Sequence, residues 1–122
     1  MRITVILIFL MIIFGCEKEK SSVSVEYRVS NAYSETEITW RTADAAQMKK
    51  TILFESVEDE WKQQFRASRG NIVYLSGIYH DTASSVTLQI IVDGKIYKQK
   101  TSINEPGKYV TVSGTIPYQE SN

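Results

Sequence analysis

From Ser22 onward the chain alternates apolar and polar residues in steps of two, with Val23, Val25, Tyr27 and Val29 set between Ser24, Glu26, Arg28 and Ser30. Successive side chains of an extended strand project to opposite faces, so this pattern describes a strand with one buried face. It does not suit an amphipathic helix, whose apolar positions recur every three or four residues. The theme repeats along the chain. Thr36 to Arg41 sets Ile38 and Trp40 on one face, and Lys50 to Val57 is apolar in its middle. Trp61, Gln63, Phe65 and Ala67 alternate with Lys62, Gln64 and Arg66, and Ile72 to Tyr79 and Val86 to Val92 are rich in strand-forming residues. Turn clusters separate these runs at Thr42-Ala43-Asp44-Ala45, Ser68-Arg69-Gly70-Asn71 and Asp81-Thr82-Ala83-Ser84. The acidic start Glu58-Asp59-Glu60 before Trp61 and Phe65 also suits a helix over 55–67, but the period of two favours a strand.

Asp93-Gly94 between Val92 and Lys95 is the pair expected in a two-residue type I′ hairpin, where both central residues need positive φ. Counting outward from it pairs Ile91 with Ile96, Ile90 with Tyr97 and Gln89 with Lys98. Asn104-Glu105-Pro106-Gly107 then turns the chain into a last strand, Tyr109 to Ile116, which Pro117 ends. Some seven or eight short strands with regular turns predict an all-β fold, an antiparallel β-sandwich of immunoglobulin-like kind. The single cysteine rules out an intrachain disulfide and every Cys-based zinc pattern. The fold must therefore rest on its core, and a domain of about a hundred residues buries some 60 to 70% of its unfolded surface.

The N-terminus differs sharply in composition. Ile3 to Phe14 contains one polar residue, Thr4, and is preceded by Arg2 and followed by Gly15-Cys16 and Glu17-Lys18-Glu19-Lys20. A short basic start, an apolar stretch of this length and a small residue at its end match a secretory signal peptide. A helix from Ile3 to Cys16 would reach roughly 21 Å, short of the ~30 Å hydrocarbon core. Lengthening it would bury Glu17 and Lys18, at about 2.5 to 3.5 kcal/mol for a charge near a helix centre.

Ile13-Phe14-Gly15-Cys16, with the cysteine where apolar gives way to charged, resembles the lipobox of bacterial lipoproteins in the looser form found in Bacteroidota. That resemblance implies cleavage before Cys16 and acylation of its thiol, the nucleophile of the chain's only cysteine. Residues 1–15 are then the signal peptide, 16–22 the lipidated cysteine and a short tether, 23–118 the β-sandwich and 119–122 a polar tail. Two or three acyl chains anchor far more firmly than one, since each buried methylene contributes about 0.8 kcal/mol. The expected location is the bacterial cell envelope, most simply the outer membrane, on its periplasmic or surface face.

Charge argues against another class of function. Fourteen Lys and Arg balance fourteen Asp and Glu, and no basic run exceeds Lys49-Lys50, whereas nucleic-acid binders concentrate positive charge. Nucleic acid is not an expected partner. The one imidazole, His80, precedes Asp81 and lies near Ser84 and Ser85, but adjacency in sequence is not triad geometry and no Gly-x-Ser-x-Gly elbow is present. Glu55 and Glu58-Asp59-Glu60 lack the spaced ligands of an EF-hand loop. The six glycines open neither a dinucleotide nor a Walker motif. No catalytic residue, cofactor or metal is expected, and Tyr27, Tyr79, Tyr97 and Tyr109 read as packing.

Trp61-Lys62, Phe65, Ala67 and Gly70, then Val73-Tyr74-Leu75-Ser76, Val86-Thr87-Leu88, Ile90 to Ile96, and finally Tyr109-Val110 with Val112-Ser113-Gly114 resemble the MmpS-type small envelope proteins and their lipoprotein relatives. The likeness runs from Trp61 to Gly114 and more loosely from Val25 to Thr51. It implies a β-sandwich on an N-terminal membrane anchor, with a role for some members as accessory to RND-type exporters. Here the anchor is a lipobox rather than a spanning helix. The expected function is that of a non-catalytic envelope lipoprotein, either an accessory subunit of a transport complex or a free-standing binding module for a glycan, peptide or host protein. Sandwich-end loops such as Asp81 to Ser84 would carry such binding.

Overall fold

The computed structural model describes residues 22–117. The expected signal peptide (1–15), Cys16 and its expected tether up to Ser21, Tyr118 and the expected tail 119–122 lie outside the described residues. Eight strands follow in order: β1 (Ser22–Ser30), β2 (Ser34–Arg41), β3 (Gln47–Phe54), β4 (Trp61–Ser68), β5 (Ile72–Tyr79), β6 (Ser85–Val92), β7 (Lys95–Ile103) and β8 (Val110–Thr115). They form two four-stranded antiparallel sheets, β4-β1-β6-β7 and β3-β2-β5-β8, the sandwich that the alternation predicts. Two connections, β2 to β3 and β6 to β7, are hairpins within a sheet, and the others pass between sheets. The expected two-layer antiparallel sandwich is thus present. Window 55–67 is turn followed by strand, and β3 ends at Phe54 because the Asp59 carboxylate accepts hydrogen bonds from the Glu55 and Ser56 amides and closes a turn there.

Val23, Val25, Tyr27 and Val29 are each 1% exposed or less, and they meet Ile38, Leu75, Tyr79, Val86, Leu88 and Ile90 in one core. Each fully buried Val, Leu or Ile contributes about 1.5 to 3 kcal/mol relative to exposure. Among the described residues this core runs from Val23 to Ile116. On the β3/β4 side the Trp40 and Trp61 rings close the gap between the sheets, tilted at 52° with centroids 4.7 Å apart.

Three tyrosine hydroxyls tie one sheet to the other. Tyr27 on β1 donates to the Arg41 carbonyl at 2.7 Å and accepts the Tyr74 amide at 3.3 Å, both in the facing sheet. Tyr79 on β5 shares a 2.9 Å hydrogen bond with Ser102 on β7 and also accepts the Glu105 amide. Tyr97 on β7 donates to the Thr115 carbonyl on β8 at 2.7 Å. These bonds satisfy groups that burial would otherwise leave costly.

Asp93 (φ 49°) and Gly94 (φ 80°) form the expected hairpin turn, and the Asp93 carboxylate also accepts the Ser24 amide at 3.0 Å. The expected register holds for Val92 with Lys95 and Ile91 with Ile96, then shifts at a β-bulge. Ile90 pairs with Lys98 and Gln89 with Gln99, so Tyr97 is the unpaired extra residue. Freed from the ladder, its ring reaches β8 and covers Gly114, where an added Cβ would meet the hydroxyl at 2.7 Å. Tyr109 departs from the packing expectation: Val110 takes the inward position of β8 and leaves Tyr109 65% exposed.

Two of the four edge strands, β3 and β7, carry lysines at inward register positions. Lys50 on β3 pairs with the buried Ile38, and Lys98 and Lys100 on β7 pair with the buried Ile90 and Leu88. Direct antiparallel partners share a face, so these lysines occupy the core side of their edges and oppose pairing with a second copy.

Tyr27→Phe leaves the Arg41 carbonyl and Tyr74 amide without their partner and is expected to cost about 1 to 3 kcal/mol in urea melts. Burial raises the Tyr27 phenol above its ordinary 10.0. The neutral form's contribution is full below that value and is lost as pH rises from it through the folded value, so Y27F should show a flatter alkaline loss. Gly114→Ala should cost about 1 kcal/mol by displacing Tyr97, and much less in a Tyr97→Ala background.

Candidate functional site

Register assigns every loop to one end of the sandwich. Ser22 pairs with Ser68, and Val25 with Val92, so the chain enters at the end built from the 42–46, 69–71 and 93–94 turns. Ile72 pairs with Thr115, which brings Pro117 to that same entry end. The opposite, far end carries the loops at 31–33, 55–60, 81–84 and 104–109.

These far loops are stitched together. The Ser84 hydroxyl donates to the Tyr33 carbonyl and accepts the Tyr33 amide at 3.3 Å, and the Ser85 hydroxyl donates to the Asn31 carbonyl. The Asp81 carboxylate accepts the Ala83 amide at 3.0 Å, the Asn104 amide donates to the Ser84 carbonyl, and the Gly107 amide donates to the Tyr79 carbonyl. Loops fixed in this way lose little freedom when they bind.

Ser84 and Ser85 are turned toward backbone carbonyls and Asp81 toward its own turn, and no hydrogen bond among the described residues joins His80 to any of them. Asp59 is used within its loop, and Glu60 lies 3.7 Å from Lys62 and 4.0 Å from Arg28. Among the described residues no three His, Cys, Asp or Glu side chains converge as metal ligands.

His80 and Asp81 instead line an open depression of about 510 Å³ on the outer face of the β3-β2-β5-β8 sheet, with Ser34, Glu35, Glu37, Thr51 and Ile78. Glu37 lies 3.5 Å from Lys49. At its rim Ser34 holds φ 121° and a buried hydroxyl oxygen without a hydrogen-bond partner. A non-glycine residue in that region stores strain of order 1 to 3 kcal/mol, a feature that clusters at functional sites.

Around the depression the far end is acidic and partly apolar. Glu35, Glu55, Glu58, Asp59, Glu60, Asp81 and Glu105 stand there against Lys62 and Lys108, with Arg28 also reaching Glu60. Tyr33, Leu53, Val57, Ile103 and Tyr109, each at least half exposed, share the same end. Carboxylates around exposed aromatic and aliphatic side chains suit a cationic, partly apolar partner. Glu35 and Glu37 on β2 escape notice in the sequence; for the turn acids one signal was available, since alternate turns of an up-and-down chain share an end and these acids concentrate in alternate turns.

No family model matches the chain, and no curated protein does either. The site is therefore read from its own chemistry.

One perturbed carboxylate lies away from the far end. Glu26, on the outer face of β1, accepts the Gln64 side-chain amide at 2.7 Å and the Arg28 guanidinium at 2.8 Å. The Gln64 bond, helped by Arg28, holds its carboxyl below the ordinary 4.5 despite partial burial. A lowered carboxylate contributes stability above its unfolded value and loses it as pH falls through the folded one. Glu26→Gln should thus cost about 1 kcal/mol near neutral pH, and the gap to the parent should close in acid, as read by urea midpoints.

Proposed function

We propose that the chain is a non-catalytic envelope lipoprotein, anchored through Cys16, that holds its sandwich on a short tether and offers the acidic far end to a protein partner at the same membrane. The observation that carries this reading is the separation of entry and site: Ser22 begins at one end of β1, and the depression and its loops stand at the other. Residues 17–22 reach at most about 20 Å when extended. A strand of eight residues adds about 27 Å. The far loops would thus be carried toward solvent, clear of the acyl chains.

The likeness to MmpS-type proteins supports an accessory role in an RND-type or other envelope transport complex. A second reading, a free-standing module for a glycan, peptide or host protein, is favoured by the exposed rings of Tyr33 and Tyr109 at the far end. Both readings use the same surface, and both place the protein in the bacterial envelope, at the outer membrane.

Cys16→Ser is expected to abolish labelled palmitate incorporation and release the protein from membranes; label retained on that variant would remove the anchor. A photocrosslinker at Val57 in intact cells should capture a transport protein under the first reading, while one at Asp44 should not. Under the second, an added glycan or peptide should protect Val57. Crosslinking to neither, with no protection, would discard both readings.

A further inference from the structure

The balanced charge of the whole chain conceals an uneven distribution, because the acids gather at the far end and the entry end is basic. Arg41 and Arg66 stand there on β2 and β4, and Lys95 follows the 93–94 turn. Arg66 and Lys95 are exposed and Arg41 partly so. Arg69 is held between the Asp93 carboxylate at 3.6 Å and the Pro117 carbonyl at 2.9 Å, so the acid of that turn is already matched. Asp44 is the remaining acid. Two aliphatic side chains, Ile72 (53% exposed) and Ile96 (58% exposed), belong to the same end.

We infer that this entry end is a docking surface for anionic phospholipid headgroups, on which the domain stands with its strands steep to the bilayer. Two observations select that occupant. The chain enters at this end, with the apolar stretch and Cys16 only a few residues before Ser22, so a bilayer holding them lies within about 20 Å. The exposed chemistry is complementary to such a surface: cations attract phosphate, and Ile72 and Ile96 can enter the headgroup layer. Each basic residue at an anionic membrane raises partitioning by about fivefold, and the effect decays over a Debye length of about 8 Å. Tethering supplies the local concentration that so few charges would otherwise need. The acidic far end is repelled by the same surface, which sets the polarity of the stance.

The inference rests on membrane anchoring at Cys16, and the test supplies that anchor chemically so that the two can fail separately. The chain expected after cleavage, residues 16–122, is coupled through its only cysteine to a maleimide lipid. The vesicles are of phosphatidylcholine alone or with about one-third phosphatidylglycerol. Amide hydrogen exchange should slow severalfold at the 42–46 and 93–94 turns on the anionic vesicles only, with the 55–60 loop unchanged. Raised salt, or Arg66→Glu with Lys95→Glu, should return exchange to the neutral-vesicle rate; the salt arm keeps the result interpretable if the variant folds poorly. Equal exchange on both vesicles, or slowing at the 55–60 loop instead, would overturn the docking surface. A failure of palmitate labelling in cells would leave this measurement untouched.

Discussion

The Tyr27 hydroxyl holds the architecture in register, because its single oxygen joins the middle of one sheet to two strands of the other. It donates to Arg41 at the end of β2 and accepts from Tyr74 on β5. The ring, fully buried, packs on Phe65 with centroids 5.1 Å apart. Hydrophobic burial alone tolerates sliding of one sheet over another, since it has no direction. A buried hydroxyl with two fixed partners does not, and Tyr79 and Tyr97 repeat the device toward the other edge. A chain with one cysteine, which can form no internal disulfide, relies on such bonds to choose a single alignment.

Much of this architecture was legible in the sequence because strands with one buried face impose their period on composition. The alternation at Val23 to Val29, the Asp93-Gly94 turn and the absence of helical spacing sufficed for the sandwich. What escaped notice depends on three dimensions. The bulge at Tyr97 arises because the ring gains a packing site over Gly114 on a strand remote in sequence. Tyr109 looked like core because tyrosine favours strands, and its place was decided by the inward phase of Val110 and Val112. The acidic end was written in the turns, but only the knowledge that alternate turns meet makes it a surface. Asp81, Ser84 and Ser85, close to His80 in sequence, are turned by the fold toward backbone groups, an arrangement that adjacency along the chain does not specify.

Edges, ends and faces of this sandwich thus have different work. Inward lysines on β3 and β7 guard the edges. One outer face carries the Glu26, Arg28 and Gln64 network, and the other carries the depression beside His80. The far end collects acids and exposed aromatic rings, while the entry end collects bases. A bulk charge near zero is compatible with strong local fields when opposite signs lie some 25 Å apart, a few Debye lengths.

The central position of β1 has a mechanical meaning. The strand that would receive the proposed tether is flanked on both sides, by β4 and by β6, and runs antiparallel to each. If a partner grips the far loops while the tether holds Ser22, tension runs along β1. The interstrand hydrogen bonds lie across that direction. They would share the pull in shear, many at once, rather than open one after another as they would if an edge strand were peeled from its free end. A domain hung by an inner strand is built to resist being drawn out of shape by whatever it holds.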